Sequence, residues 1–87
     1  MPYIKKEQRD RLARGEKPQD AGELNYTLTT LLLDYLGRKG RSYAHFNEIM
    51  GVLSCVTEEF YRRWAVPYED KKILENGDLD LPATLLK

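Results

Sequence analysis

From Glu23 onward the apolar residues return every three or four positions. Leu24, Leu28, Leu31, Leu32, Tyr35 and Leu36 form one stripe of an amphipathic helix. Asp20 is placed to cap its start and Gly37 to stop it. The link Arg38-Lys39-Gly40-Arg41 is short and basic, a length that predicts an antiparallel helical hairpin. Ser42 then caps a second and longest helix over residues 43–65, with Phe46, Ile49, Met50, Leu53, Val56, Phe60 and Trp64 as its apolar stripe. Pro67 is expected to end or kink that helix, pushing Val66 away from helical geometry, and to open a third helix over 68–75 that stops at Asn76-Gly77.

The ends of the chain are less regular. Pro2, Gly15, Pro18 and Gly22 punctuate the first twenty-odd residues, and 14–21 read as loop. Between them, 5–13 is charged and suits a short helix, with Tyr3, Ile4 and Leu12 as its few apolar anchors. The stretch 78–87 contains Pro82 and reads as an extended tail whose Leu79, Leu81, Leu85 and Leu86 are available to dock on a neighbour. No run alternates as a strand would. The expected class is all-α: an antiparallel helical hairpin with a long second helix, a short C-terminal helix and an irregular N-terminal segment, in an oligomer. One small domain spans 1–87, with an arm and loop at 1–21, a helical core at 22–78 and the tail at 79–87.

Composition narrows the function. Eighty-seven residues make a core that is marginal alone, which is the reason to expect a partner subunit. Fourteen Lys and Arg against fourteen Asp and Glu leave no net charge, which argues against a nucleic-acid coat or a polybasic membrane tether. One cysteine and one histidine exclude an intramolecular disulfide and argue against a dedicated zinc site, so no metal and no cofactor is expected. The longest apolar run, Leu31-Leu32-Leu33, is too short to span a bilayer. With no signal peptide at its start, the chain is expected in the cytoplasm.

The long helix carries an unusual face. Stepping about 100° per residue, Ala44, Asn47, Gly51, Ser54 and Cys55 lie opposite the apolar stripe, followed by Glu58 and Arg62. A mid-helix glycine costs about 1 kcal/mol relative to alanine. Gly51 therefore marks either a tolerated position in solvent, a helix crossing within the chain or across a dimer axis, or the close approach of a ligand; the crossing makes Ala44, Asn47, Gly51, Ser54 and Cys55 the candidate interface.

Candidate chemistry is sparse. His45 has no serine or cysteine partner at a motif spacing and reads as exposed or locally hydrogen-bonded. Cys55 has helix on both sides and acidic neighbours, the setting of a small packing residue and not of an activated thiolate. Glu58 and Glu59 precede Arg62 and Arg63 by four, so two solvated ion pairs are one reading. The other is a forked anion grip by Arg62 and Arg63 with Tyr61, Trp64 and Tyr68 as walls. Arg38, Lys39 and Arg41 form the one concentrated positive patch, ahead of a helix N-terminus where Tyr43 adds a hydroxyl; it is either an ordinary solvated turn or a second anion site. No phosphate loop, dinucleotide fingerprint or metal-ligand cluster is present, and no enzyme is indicated.

Several stretches carry a resemblance. Met1-Pro2-Tyr3-Ile4, Gly22-Glu23-Leu24-Asn25-Tyr26, Asn47-Glu48-Ile49-Met50-Gly51-Val52-Leu53, Glu59-Phe60-Tyr61-Arg62-Arg63, Pro67-Tyr68-Glu69 and Asn76-Gly77-Asp78 follow in order along the chain. Together they resemble a family of short proteins of unknown function that recur in bacteriophage and prophage genomes. The resemblance implies a phage setting in the cytoplasm of a bacterial host, but no activity. The expectation is a non-enzymatic, homo-oligomeric accessory binding protein, in its sharper form a counter-defence sponge for a small anionic nucleotide. The alternative is a protein–protein module that blocks or adapts a host or phage protein. A small nucleic-acid-binding regulator is the weaker third, given the zero net charge.

Overall fold

The computed structural model describes residues 4–86. Met1, Pro2, Tyr3 and Lys87 lie outside the described residues, and with them the Tyr3 anchor and the last residue of the tail. The helices are α1 (Lys6–Ala13), α2 (Ala21–Lys39), α3 (Tyr43–Phe60) and α4 (Val66–Asn76), with a π-helical turn at Tyr61–Ala65 and a 3-10 turn at Ala83–Leu86. No strand occurs among the described residues. The class is all-α. Intrachain contacts gather into two compact units, Met1–Ile49 and Met50–Lys87, and the division falls inside α3.

In the first unit the N-terminal arm is more regular than expected. It holds α1, whose first turn closes when the Gln8 amide oxygen accepts from the Lys5 N–H at 2.7 Å. Gly15 then turns the chain at φ +93°, a region that favours glycine. Asp20 caps α2 as the sequence predicts, its Oδ1 accepting from the Glu23 N–H at 2.8 Å. The stop comes later than Gly37. Gly37 keeps helical geometry, and α2 ends at Gly40, where φ is +97° and the N–H closes on Leu36 O at 2.7 Å. Arg38 and Lys39 thus finish α2 instead of opening the link, and their charges suit the negative end of the helix dipole. Ser42 caps α3, its Oγ accepting from the His45 N–H at 3.1 Å.

In the second unit Pro67 does not end the helical path. Val66 is fully helical at φ −63°, ψ −51°, and its N–H bonds to Tyr61 O, five residues back. A proline ring collides with the carbonyl four residues earlier and has no N–H to offer it. The wide turn just ahead of Pro67 absorbs both defects, so the helical path continues into α4. Gly77, at φ +88°, ends α4. The tail is not wholly extended: Leu85 N–H bonds to Pro82 O at 2.9 Å and forms the 3-10 turn.

Burial is the unexpected part. Among the described residues no apolar side chain is buried, and the one buried residue is Glu23, 3 % exposed. Within the first unit Leu32, Tyr35 and Leu36 are half-buried, while Leu24, Leu28 and Leu31 stay open to solvent. Among the described residues of the second unit only Leu53, Ala65, Val66 and Ile73 are half-buried.

Candidate ligand and association surface

Helix α3 and the π turn carry the residues singled out for binding. Glu59 accepts from both arginines, from Arg62 and from Arg63 at 3.2 Å each. The expected pairing of Glu58 with Arg62 is replaced: one carboxylate bridges two guanidinium groups, and among the described residues Glu58 pairs with none. All three side chains are more than half exposed, so each pair contributes at most about 1 kcal/mol.

The two arginines face different hollows. An open groove of about 450 Å³ is lined by Cys55, Val56, Glu59, Phe60, Arg63 and Trp64. A second, of about 390 Å³, is lined by Cys55, Glu58, Glu59, Tyr61 and Arg62. Trp64 therefore accompanies Arg63, and Tyr61 accompanies Arg62. Tyr68 belongs to neither lining; Lys72 Nζ stands 5.5 Å from its ring centre, a cation–π contact inside α4.

The basic patch is largely occupied locally. Arg38 pairs with Asp34 at 3.0 Å, and Lys39 Nζ lies 5.9 Å from the Tyr35 ring centre. Arg41 and Tyr43 are exposed. His45 Nδ1 stands 2.7 Å from Gly40 O, and since a carbonyl only accepts, this nitrogen carries the proton and donates. The histidine thus ties the start of α3 to the turn that ends α2. On the small face, Ala44, Asn47, Gly51, Ser54 and Cys55 are all exposed. A Cβ built on Gly51 would meet nothing within 4 Å.

The sequence reading passed over the polar clasp that joins α1 to α2. Glu23 Oε2 accepts from Gln8 Nε2 at 2.9 Å and pairs with Arg11, while Oε1 accepts from the Gln19 N–H at 3.0 Å. The Gln8 amide, then the Arg11 guanidinium and the Gln19 N–H, hold the Glu23 carboxyl below the ordinary glutamate range; burial acts the other way and loses. Two signals pointed here: Asp20 and Glu23 at capping-box spacing, and Gln8 and Arg11 three apart on α1. Ile4 closes the same junction: its Cγ2 would stand only 3.3 Å from a Cβ on Gly22.

No group of three or more His, Cys, Asp or Glu is placed to hold a metal ion among the described residues. No helix among them is long and apolar enough to cross a membrane. No curated protein and no solved structure matches the chain. Residues 1–79 match the family described as Domain of unknown function (DUF6899), and the chain belongs to that family.

Proposed function

We propose that this family member is a non-enzymatic binding protein that works as a homo-oligomer and holds a small anion, a nucleotide in the sharpest form, in the groove headed by Arg63. The observation that carries the reading is the make-up of that groove. Val56, Phe60 and Trp64 offer apolar surface, and Arg63 sets a forked donor beside it. Guanidinium both pairs with phosphate oxygens and stacks on flat rings. Glu59 steadies the arginine and offsets part of its charge, which suits one compact anion better than a polyanionic backbone. An antiparallel start to the hairpin belongs to the same proposal. It is supported by the three-residue link 40–42 and by Tyr35 Oη donating to Glu48 Oε2 at 3.3 Å. The phage or prophage setting, sequestration of an immune signal and residence in a host cytoplasm rest on the sequence resemblance and on analogy of context.

Calorimetric titration of cyclic and linear nucleotides into wild type, Arg62→Lys and Arg63→Lys tests the site. Arg63→Lys should bind about tenfold more weakly, since a charge-assisted bond is worth about 1.5 kcal/mol, while Arg62→Lys stays close to wild type. If wild type binds no nucleotide, the anion reading fails. The second reading, a module that docks on a host or phage protein, is favoured by Met50, Phe60 and Trp64, each more than 60 % exposed.

A further inference from the structure

The apolar stripe of the second unit has a spacing of its own. Met50, Leu53, Phe60 and Trp64, with the polar Thr57 among them and Trp64 in the π turn, follow at three, four, three and four, and the same alternation runs back in the sequence through Phe46 and Tyr43. A mean spacing of 3.5 suits packing against another helix. Among the described residues of this unit its side chains lie largely open. Met50 is 64 %, Phe60 65 % and Trp64 67 % exposed, and Val56, flanking the seam, is 57 % exposed.

We infer that the occupant of this seam is the same seam of a second copy, and that the second copy supplies the missing wall of the Arg63 groove. The area is adequate. An aromatic side chain buries roughly 150–250 Å², so Phe60 and Trp64 with Met50 and Val56 leave about 500 Å² of open apolar surface. Two copies then bury about 1,000 Å², the threshold of a specific interface. The pairing is self-complementary, as a two-fold interface requires. Phe60 and Trp64 belong to the seam and to the groove at once. Closing the seam therefore brings a partner helix alongside Arg63, whereas the hollow at Arg62 lies on the outer side of Glu59 and stays open. Ala44 and Gly51, at about 100° per residue, lie on the face opposite the seam. The groove closure rests on the anion reading; the pairing itself does not.

Sedimentation velocity on the full chain from 1 to 100 µM, without nucleotide, separates the two. Wild type should sediment as a dimer or larger. Phe60→Glu should weaken association at least 100-fold. Gly51→Leu and Ala44→Leu, both on the face opposite the seam, should assemble as wild type does. Because Phe60→Glu also unsettles a helix, these two outer-face probes decide which face is used. A wild-type monomer at 100 µM overturns the inference, including a monomer whose Trp64 emission shows it covered within its own chain. So does assembly lost in Gly51→Leu or in Ala44→Leu, which moves the contact to the small face. Failure to bind any nucleotide leaves the sedimentation result untouched and removes only the groove.

Discussion

Replacing glycines one at a time with alanine separates three backbone environments that look alike in the sequence. Gly51 sits in the middle of α3 with open space where a Cβ would stand, and its backbone is helical. Alanine there recovers the helix propensity that glycine forgoes, about 0.8–1.0 kcal/mol, or about a fourfold gain in the folding equilibrium. The gain should appear as a rise in Tm. Gly37 is equally open but lies in the last turn of α2, so its gain should be smaller. Gly40 has the opposite sign. At φ +97° and ψ 148° it occupies a region that is essentially closed to other residues, and alanine should cost about 1–3 kcal/mol. The assay is thermal melting by circular dichroism at 222 nm, at one fixed protein concentration, with sedimentation as a check on subunit number. A lower Tm for Gly51→Ala would refute the reasoning, because it would mean that another backbone or ligand closes on that face.

Two further outcomes follow from the ion pairs. Glu23 titrates below its ordinary value in the fold, so its contribution to stability is fully present above the unfolded pKa of about 4.3 and is lost as pH falls through the folded value; the protection factors of the α1 amides, relative to intrinsic exchange at each pH, should fall over that range in wild type and hardly change in Glu23→Gln. Glu59→Gln removes an exposed acceptor shared by two arginines, so melting should shift by less than about 1 kcal/mol, while nucleotide affinity at Arg63 should rise; an unchanged affinity would remove Glu59 from the electrostatics of the groove.

Local signals were legible where one residue decides the geometry. Asp20 announces the start of α2 and Ser42 that of α3, because a cap is a contact between near neighbours. The end of α2 was harder to read: Gly37 and Gly40 are the same residue type, and only the chain path decides which adopts positive φ. Pro67 misleads for a related reason. A breaker rule assumes four-residue bonding, and the turn at Tyr61–Ala65 bonds across five. Arg62 and Arg63 were visible as a pair, but their division between two hollows depends on both choosing Glu59. Glu23 was hidden because its partners Gln8 and Arg11 lie 15 and 12 positions away and meet it only after α1 folds back.

That the one buried residue among those described is a carboxylate has a thermodynamic consequence. The heat capacity of unfolding is set by apolar surface newly exposed to water, at about +0.45 cal/mol/K per Å², and is lowered by polar surface. A chain whose apolar side chains already meet solvent has little of that surface left to expose. Its isolated stability curve should therefore be shallow, with a broad melt and little penalty on cooling. A large heat capacity change in a calorimetric scan would be the signature of subunits coming apart, and its size would report the apolar area that assembly had covered.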